Sequence, residues 1–222
     1  MDPITIGLMT LAWVALNSKS RKKSSSNYTY KESPPDKIIT FVGATGAGKS
    51  STINALVGYS AFEVGASHGT TNKVDDITYT SGYQLRDTPG LMDDYDFSPI
   101  VWQSLKRSEL IIYTASGQLY GPELTLLERI YNNQKNWNSA SNSYNRRKLA
   151  LYINKLDVKE YSMDSSTRRR EIIAIKQQVS HWIPEQRIVY GASSPIYKGT
   201  RKSPRVEDLE KLINEHMNSS IN

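Results

Sequence analysis

The sequence predicts an α/β domain: a mainly parallel six-stranded sheet with helices on both faces and one antiparallel edge strand. Three observations carry this expectation. Apolar, β-branched runs alternate with segments of helical periodicity from Lys37 onward, which is the pattern of crossover connections between parallel strands. The β-prone runs Val74 to Thr80 and Tyr83 to Asp87 flank Ser81-Gly82, a two-residue turn signal, so they pair as an antiparallel hairpin. Finally, Gly43-Ala44-Thr45-Gly46-Ala47-Gly48-Lys49-Ser50 lies between the apolar run Ile38 to Val42 and the helix-forming run Ser51 to Leu56, marking a glycine-rich passage from strand to helix.

The remaining elements follow in order. Gly58 to Asn72 is glycine-bearing and too polar for core, and it contains Gly69-Thr70-Thr71. The hairpin ends in Asp87-Thr88-Pro89-Gly90. Ser98-Pro99 opens a helix, with a capping residue followed by a proline at the first position, and the helix runs to about Arg107. Leu110 to Thr114 is a buried-type strand, and Glu123 to Asn132 carries Leu124, Leu127 and Tyr131 at helical spacing. Asn132 to Arg147 is rich in Asn and Ser and reads as a surface loop. Lys148 to Ile153 forms a strand that ends in Asn154-Lys155-Leu156-Asp157. Asp164 to Trp182 is a long helix that presents Arg168, Arg169 and Arg170 to solvent and is stopped by Pro184. Arg187 to Tyr190 is the last strand, Gly191-Ala192-Ser193 follows it, and Val206 to Met217 closes the chain as an amphipathic helix.

Composition narrows the class. The 222 residues suit one domain of ordinary size plus extensions, and 23% charged with 38% hydrophobic residues describe a globular body. The absence of cysteine excludes a disulfide framework and thiolate zinc sites. Of the formal charge of +6, Lys19, Arg21, Lys22 and Lys23 supply four units in a tail outside the domain. The body is only mildly basic and has no aromatic-interleaved basic stripe, so nucleic acid is not the expected partner.

Ile4 to Leu16 contains no charge and is followed directly by that basic cluster. As a helix it would be about 20 Å long, short of the roughly 30 Å hydrocarbon core. The positive charges follow the apolar run, whereas a signal peptide carries them in front. Three readings stay open. The first is a short or shallow membrane anchor through residues 4–23, which leaves the rest of the chain on the cytoplasmic side with the basic cluster against anionic lipid. The others are a helix packed on the protein or a partner, and an unstructured start. Ser24 to Asp36 reads as a linker, and the folded domain spans 37–222.

The glycine-rich passage has a chemical reading of its own. Its glycines let backbone N–H groups turn inward around a polyphosphate, and the helix that follows directs its positive end at the same charge. Lys49 then reaches the β- and γ-phosphates, and the Ser50 hydroxyl holds Mg²⁺. Gly43, Ala44, Thr45, Gly46, Ala47, Gly48, Lys49, Ser50 and Ser51 make up the candidate phosphate-side set. A carboxylate at Asp157 accepts from both the N1–H and the exocyclic amine of guanine, whereas adenine offers an unprotonated N1 there.

The order and chemistry of these clusters, from Lys37 onward, resemble the translation-factor-related class of P-loop GTPases, near the Era/TrmE-like branch, whose Gly-Thr-Thr and Asp-Thr-Pro-Gly elements the chain shares. Thr45-Gly46-Ala47-Gly48-Lys49-Ser50-Ser51 is similar to bacterial Era-like and immunity-related GTPases as well. The resemblance implies a three-layer sandwich that uses GTP or GDP with Mg²⁺. It implies that Thr71, with Thr70 next in line, places a hydroxyl on Mg²⁺ and an N–H near the γ-phosphate. The resemblance further implies that Asp87 holds Mg²⁺ through water and that the Gly90 N–H contacts the γ-phosphate. By the same resemblance Asn154 is expected to brace the loops, the Lys155 stem to stack on the base, and the Ala192 N–H, beside Ser193, to meet the guanine carbonyl. Lys49, Thr71 and Gly90 are thus the candidate catalytic groups.

Two departures from the class bear on rate. Leu91 stands where Ras-like members place a water-orienting glutamine, and Gly46 stands where potassium-assisted members place an asparagine. Slow intrinsic turnover is expected, accelerated by self-association across the nucleotide face, by an activating protein, or by a group elsewhere. His68 reads as a structural or incidental loop histidine. The expectation is a membrane-tethered GTP switch. The alternatives are a nucleotide-dependent scaffold with negligible turnover, and an RNA- or ribosome-associated GTPase. The last ranks lower because no RNA-binding segment is recognised after Ser193. Deleting Met1 to Lys23 is expected to move the protein from the membrane to the soluble fraction on flotation, with guanine-nucleotide affinity unchanged; an unaltered flotation profile rules out the anchor.

Overall fold

A computed structural model describes residues 37–64, 73–80, 82–91, 96–140, 148–158, 164–197 and 199–219. The expected anchor and linker, His68, Thr70 and Thr71 lie outside the described residues, as do positions 141–147 of the expected loop.

Six strands form the sheet: β1 (Lys37–Val42), β2 (Asp75–Thr80), β3 (Tyr83–Asp87), β4 (Leu110–Ala115), β5 (Lys148–Ile153) and β6 (Ile188–Tyr190), in the order β2-β3-β1-β4-β5-β6. All neighbours pair in parallel except β2 and β3, the antiparallel edge pair read from the hairpin signal. The helices are α1 (Lys49–Val57), α2 (Pro99–Arg107), α3 (Gly121–Ala140), α4 (Ser165–Val179) and α5 (Glu207–Ser219).

Side-chain alternation along the strands divides the core in two. On one face Ile111, Tyr113 and Ala115 of β4 meet Val101 and Leu105 of α2, Leu126, Leu127 and Ile130 of α3, and Ile175 and Val179 of α4. On the other, Leu110 and Ile112 meet Ile53 of α1 and Leu209, Leu212 and Ile213 of α5. Burial of both faces explains why β4 reads as a continuous apolar run. Among the described residues, no helix is long and apolar enough to cross a membrane.

The structure corrects the loop expected over Asn132 to Arg147, because α3 continues to Ala140. Asn and Ser dominate that segment, but Ile130 just before it and Gln134 and Trp137 within it recur at helical spacing. Ile130 and Gln134 are buried, and Tyr131 and Trp137 pack against the core. Burial of that stripe outweighs the weak helix propensity of the residues between. The chain also carries an unanticipated hairpin of β7 (Ile196–Tyr197) and β8 (Thr200–Arg201) before α5.

Ile112 is fully buried at the centre of the sheet, whereas Ile173 on α4 is 45% exposed. Ile112→Ala is expected to cost about 2–5 kcal/mol in urea unfolding followed by circular dichroism, and Ile173→Ala within about 0.5 kcal/mol of zero. Equal losses at the two positions contradict the two-faced core.

Candidate functional site

The C-terminal ends of the parallel strands carry the polar clusters, and the central place of β1 sets the glycine-rich loop among them. From Val42 the chain enters Gly43, whose φ is +143°. An added Cβ there would sit 2.1 Å from the Thr114 carbonyl oxygen of β4, so only glycine permits this approach. Gly48, at φ +96°, caps α1, and its missing side chain leaves room for the Asn154 carboxamide, 2.2 Å from where a Cβ would lie. The first turn of α1 has no acidic side chain to repel an anion.

Lys49 is buried, and its Nζ donates to the carbonyls of Gly43 and Ala44, each at 3.1 Å. Burial lowers its pKa to about 8, against the opposing pull of the Asp87 carboxylate. An ammonium held this way among neutral carbonyls is a strong attractor for an anionic ligand.

At the end of β3, Asp87 is fully buried and accepts from the Ser50 hydroxyl at 2.6 Å through Oδ2 and from the Thr88 N–H at 3.1 Å through Oδ1. The Thr88 hydroxyl donates to the Phe41 carbonyl at 2.7 Å, which locks the end of β3 to β1. A carboxylate and a hydroxyl converging from two elements are hard oxygen donors of the kind magnesium takes. The backbone of Gly90 lies directly against Thr45, where an added Cβ would be 2.5 Å from the Thr45 hydroxyl. Leu91 is fastened on both sides. Its N–H donates to the Gly43 carbonyl at 3.3 Å, and its carbonyl accepts from the Thr45 hydroxyl at 2.6 Å. Its side chain packs on the core.

Asn154 joins the two halves of the site. Its backbone N–H donates to Ala115 at 2.7 Å, its Nδ2 donates to the Ala47 carbonyl at 3.0 Å, and its Oδ1 accepts from the Ser193 N–H at 2.9 Å. Lys155, with φ +59°, is the one non-glycine residue in the left-handed region among the described residues, a strained conformation typical of ligand-holding turns. Asp157 lies in the same turn and is buried; its Oδ2 accepts from the Ile196 N–H at 3.3 Å. The Ala192 N–H donates to the Arg205 carbonyl at 3.0 Å, and the Ala192 carbonyl accepts from the Arg205 N–H at 2.9 Å. This two-bond bridge closes the excursion that carries β7 and β8, a constraint that no local sequence signal announces.

Gly43 to Ser51, Asp87, Gly90, Asn154, Asp157, Ala192 and Ser193 thus gather at one end of the sheet, and Thr71 lies outside the described residues. Thr52 and Tyr152, which no motif singled out, contribute buried hydroxyls beneath the loops.

Comparison with known proteins agrees with this arrangement. The GTPase LSG1-2 of Arabidopsis thaliana is 36% identical over 76 residues, which cover 34% of this chain and 13% of that protein. Among solved structures, a single-residue variant of Aquifex aeolicus Era bound to GDP and AlF4⁻ superposes with a TM-score of 0.55 at 19% identity, over 82% of this chain and 57% of that one. NFeoB of S. thermophilus, bound to mGMPPNP, gives 0.53 at 14% identity, over 82% and 62%. The chain spans less than two-thirds of each of these relatives, and the two superpositions establish the P-loop GTPase fold. The sequence model of the 50S ribosome-binding GTPases matches residues 38–186, which include the glycine-rich loop, Asp87, Gly90 and the Asn154 to Asp157 turn, and the chain belongs to that family.

Proposed function

We propose that this chain binds GTP and GDP with Mg²⁺ and hydrolyses GTP slowly, as a switch tethered to the cytoplasmic side of a membrane. The observation that carries the reading is the Asn154 carboxamide, which couples a phosphate-cradling loop to a turn carrying a buried carboxylate suited to guanine. In this reading the backbone of Gly43 to Ser51 surrounds the phosphates, Lys49 spans the β- and γ-phosphates, and Asp157 accepts from guanine N1–H and its amine. Lys155 covers the base, and Ala192 and Ser193 form the wall beside it. Ser50, Thr71 and Asp87 would hold magnesium, which would supply positive charge beside the phosphates. Water attacks the γ-phosphorus, a P–O bond forms, and the bond to the bridging oxygen breaks. GDP leaves with that oxygen, and the water proton ends on the released phosphate. Lys49 and the backbone amides stabilise the charge that develops. Loss of the γ-phosphate frees the loops carrying Thr71 and Gly90, which is the switching step.

Slow turnover follows from Leu91, which has no group to orient water and is held by Thr45 and Gly43 with its partly buried side chain against the core. Gly46 offers no side chain to hold potassium. Acceleration is assigned to self-association across the nucleotide face or to an activating protein. The same fastening of Leu91 favours a second reading, a GTP-dependent scaffold that assembles and turns over negligibly. The charge-free run and basic cluster of residues 4–23 support the membrane tether. The family's description makes ribosomal RNA an arm of the test, read out as salt-sensitive binding.

Single-turnover phosphate release measured at several protein concentrations separates the readings: a rate that rises with concentration fits the switch, and a negligible rate throughout fits the scaffold. Asp157→Asn is expected to lower GTP affinity by about a hundredfold or more and to shift preference toward xanthosine triphosphate, whose C2 carbonyl accepts from the new amide. An unchanged guanine preference in competition binding refutes the base-reading role of Asp157.

A further inference from the structure

Beneath the site, three buried hydroxyls connect the base side to the phosphate side. Thr52 of α1 and Tyr152 of β5 are fully buried, and Ser193 is almost so. The Thr52 hydroxyl donates to the Gly48 carbonyl at 2.7 Å, its oxygen lies 2.6 Å from Ser193 Oγ, and Ser193 Oγ lies 3.2 Å from the Tyr152 hydroxyl.

Proton counting orients this chain, because each hydroxyl has one hydrogen to give. Thr52 uses its hydrogen on Gly48, so the short contact with Ser193 requires Ser193 to donate. Ser193 Oγ also donates toward Asn154 Oδ1 at 3.0 Å, so its one hydrogen is shared between the nearer Thr52 oxygen and that carboxamide oxygen, which takes the Ser193 N–H as well. Tyr152 must then donate to Ser193. Burial pushes the Tyr152 phenol up to about 12, partly offset by its bond to Ser193, so it remains a donor at physiological pH. The hydroxyls therefore run head to tail from Tyr152 through Ser193 and Thr52 to the Gly48 carbonyl, an order in which each bond polarises the next.

The last acceptor gives the chain its consequence. The peptide joining Gly48 to Lys49 is planar and trans, so a carbonyl aimed down at Thr52 directs the Lys49 N–H the opposite way, out of the helix start. We propose that Tyr152 and Thr52 are positioning residues for nucleotide affinity: the Gly48 carbonyl accepts both the helical Thr52 N–H, at 2.9 Å, and the Thr52 hydroxyl, and through Ser193 the hydroxyls tie this peptide plane ahead of Lys49 to the loop beside Asp157. This inference rests on the phosphate loop binding guanine nucleotide, and neither residue belongs to a motif that reads phosphate or base. Both nucleotides present α- and β-phosphates to the same loop, so affinity for GDP and GTP changes together.

The test uses the full chain with fluorescent GDP and a non-hydrolysable GTP analogue in magnesium buffer. Tyr152→Phe removes the first donor and keeps the ring. Thr52→Val removes the middle hydroxyl and keeps the shape, and Thr52→Ser restores it. Tyr152→Phe and Thr52→Val are expected to weaken both nucleotides by about three- to tenfold, as for loss of one buried hydrogen bond, with the GDP to GTP-analogue ratio unchanged. Thr52→Ser is expected to bind within about twofold of wild type, a rescue that a purely packing role for the Thr52 methyl would not give. Wild-type affinity in both Tyr152→Phe and Thr52→Val, or a loss in Thr52→Ser equal to that in Thr52→Val, overturns the relay. Failure of the wild-type chain to bind either nucleotide overturns the underlying guanine-nucleotide reading instead. Should Tyr152→Phe fail to fold, as seen by circular dichroism, the Thr52 pair decides by the same criteria.

Discussion

A single carboxamide holds the site together. Asn154 receives Ser193 on its oxygen and gives its amide hydrogen to the Ala47 carbonyl, so the loops after β1, β5 and β6 share one buried side chain. In a buried setting an unmade hydrogen bond costs more than a made one contributes, so the three loops adopt their geometry jointly or not at all. The glycine at position 48 follows from this constraint, since any side chain there would occupy the place of the carboxamide. The sheet supplies the rigid frame, with β1 bonded on both edges and its C-terminal end facing the loops.

Electrostatic preparation is the second layer. Lys49 is desolvated before any ligand arrives, with its ammonium on two carbonyls and Asp87 near enough to raise its pKa against the effect of burial. Such a group gains more from an approaching polyphosphate than an exposed lysine, because its desolvation has already occurred on folding. Strain at Lys155 belongs to the same design, a backbone cost borne where the chain must present a carboxylate edge. The loop after Gly90 is treated differently. Leu91 is tied to the glycine-rich loop through Thr45 and Gly43 and packs on the core, so a restrained apolar residue follows Gly90.

Much of this was legible along the chain. Period-2 and period-3.6 apolar patterns, the Ser81-Gly82 turn and the Ser98-Pro99 start signal each report on a few neighbouring residues, and the strands, the edge hairpin and α2 lie where those patterns put them. The Gly43 to Ser50 spacing and the Asn154 to Asp157 run are equally local, because their chemistry needs those residue types at adjacent positions. Composition misled at Asn132 to Ala140, where polar residues outnumber apolar ones but a buried stripe decides the conformation.

Hydrogen-bond partnership was the part no pattern could supply. Ala192, Thr52 and Ser193 each have several polar groups within reach, and only packing brings Arg205 to the first, Ser193 to the second and Asn154 to the third. The order of residues thus settled which secondary structures form and which chemical groups the loops carry. The assembled sheet settled which donor meets which acceptor, because contacts between positions 13 to 141 apart depend on how whole elements stack, and no short stretch of sequence encodes that.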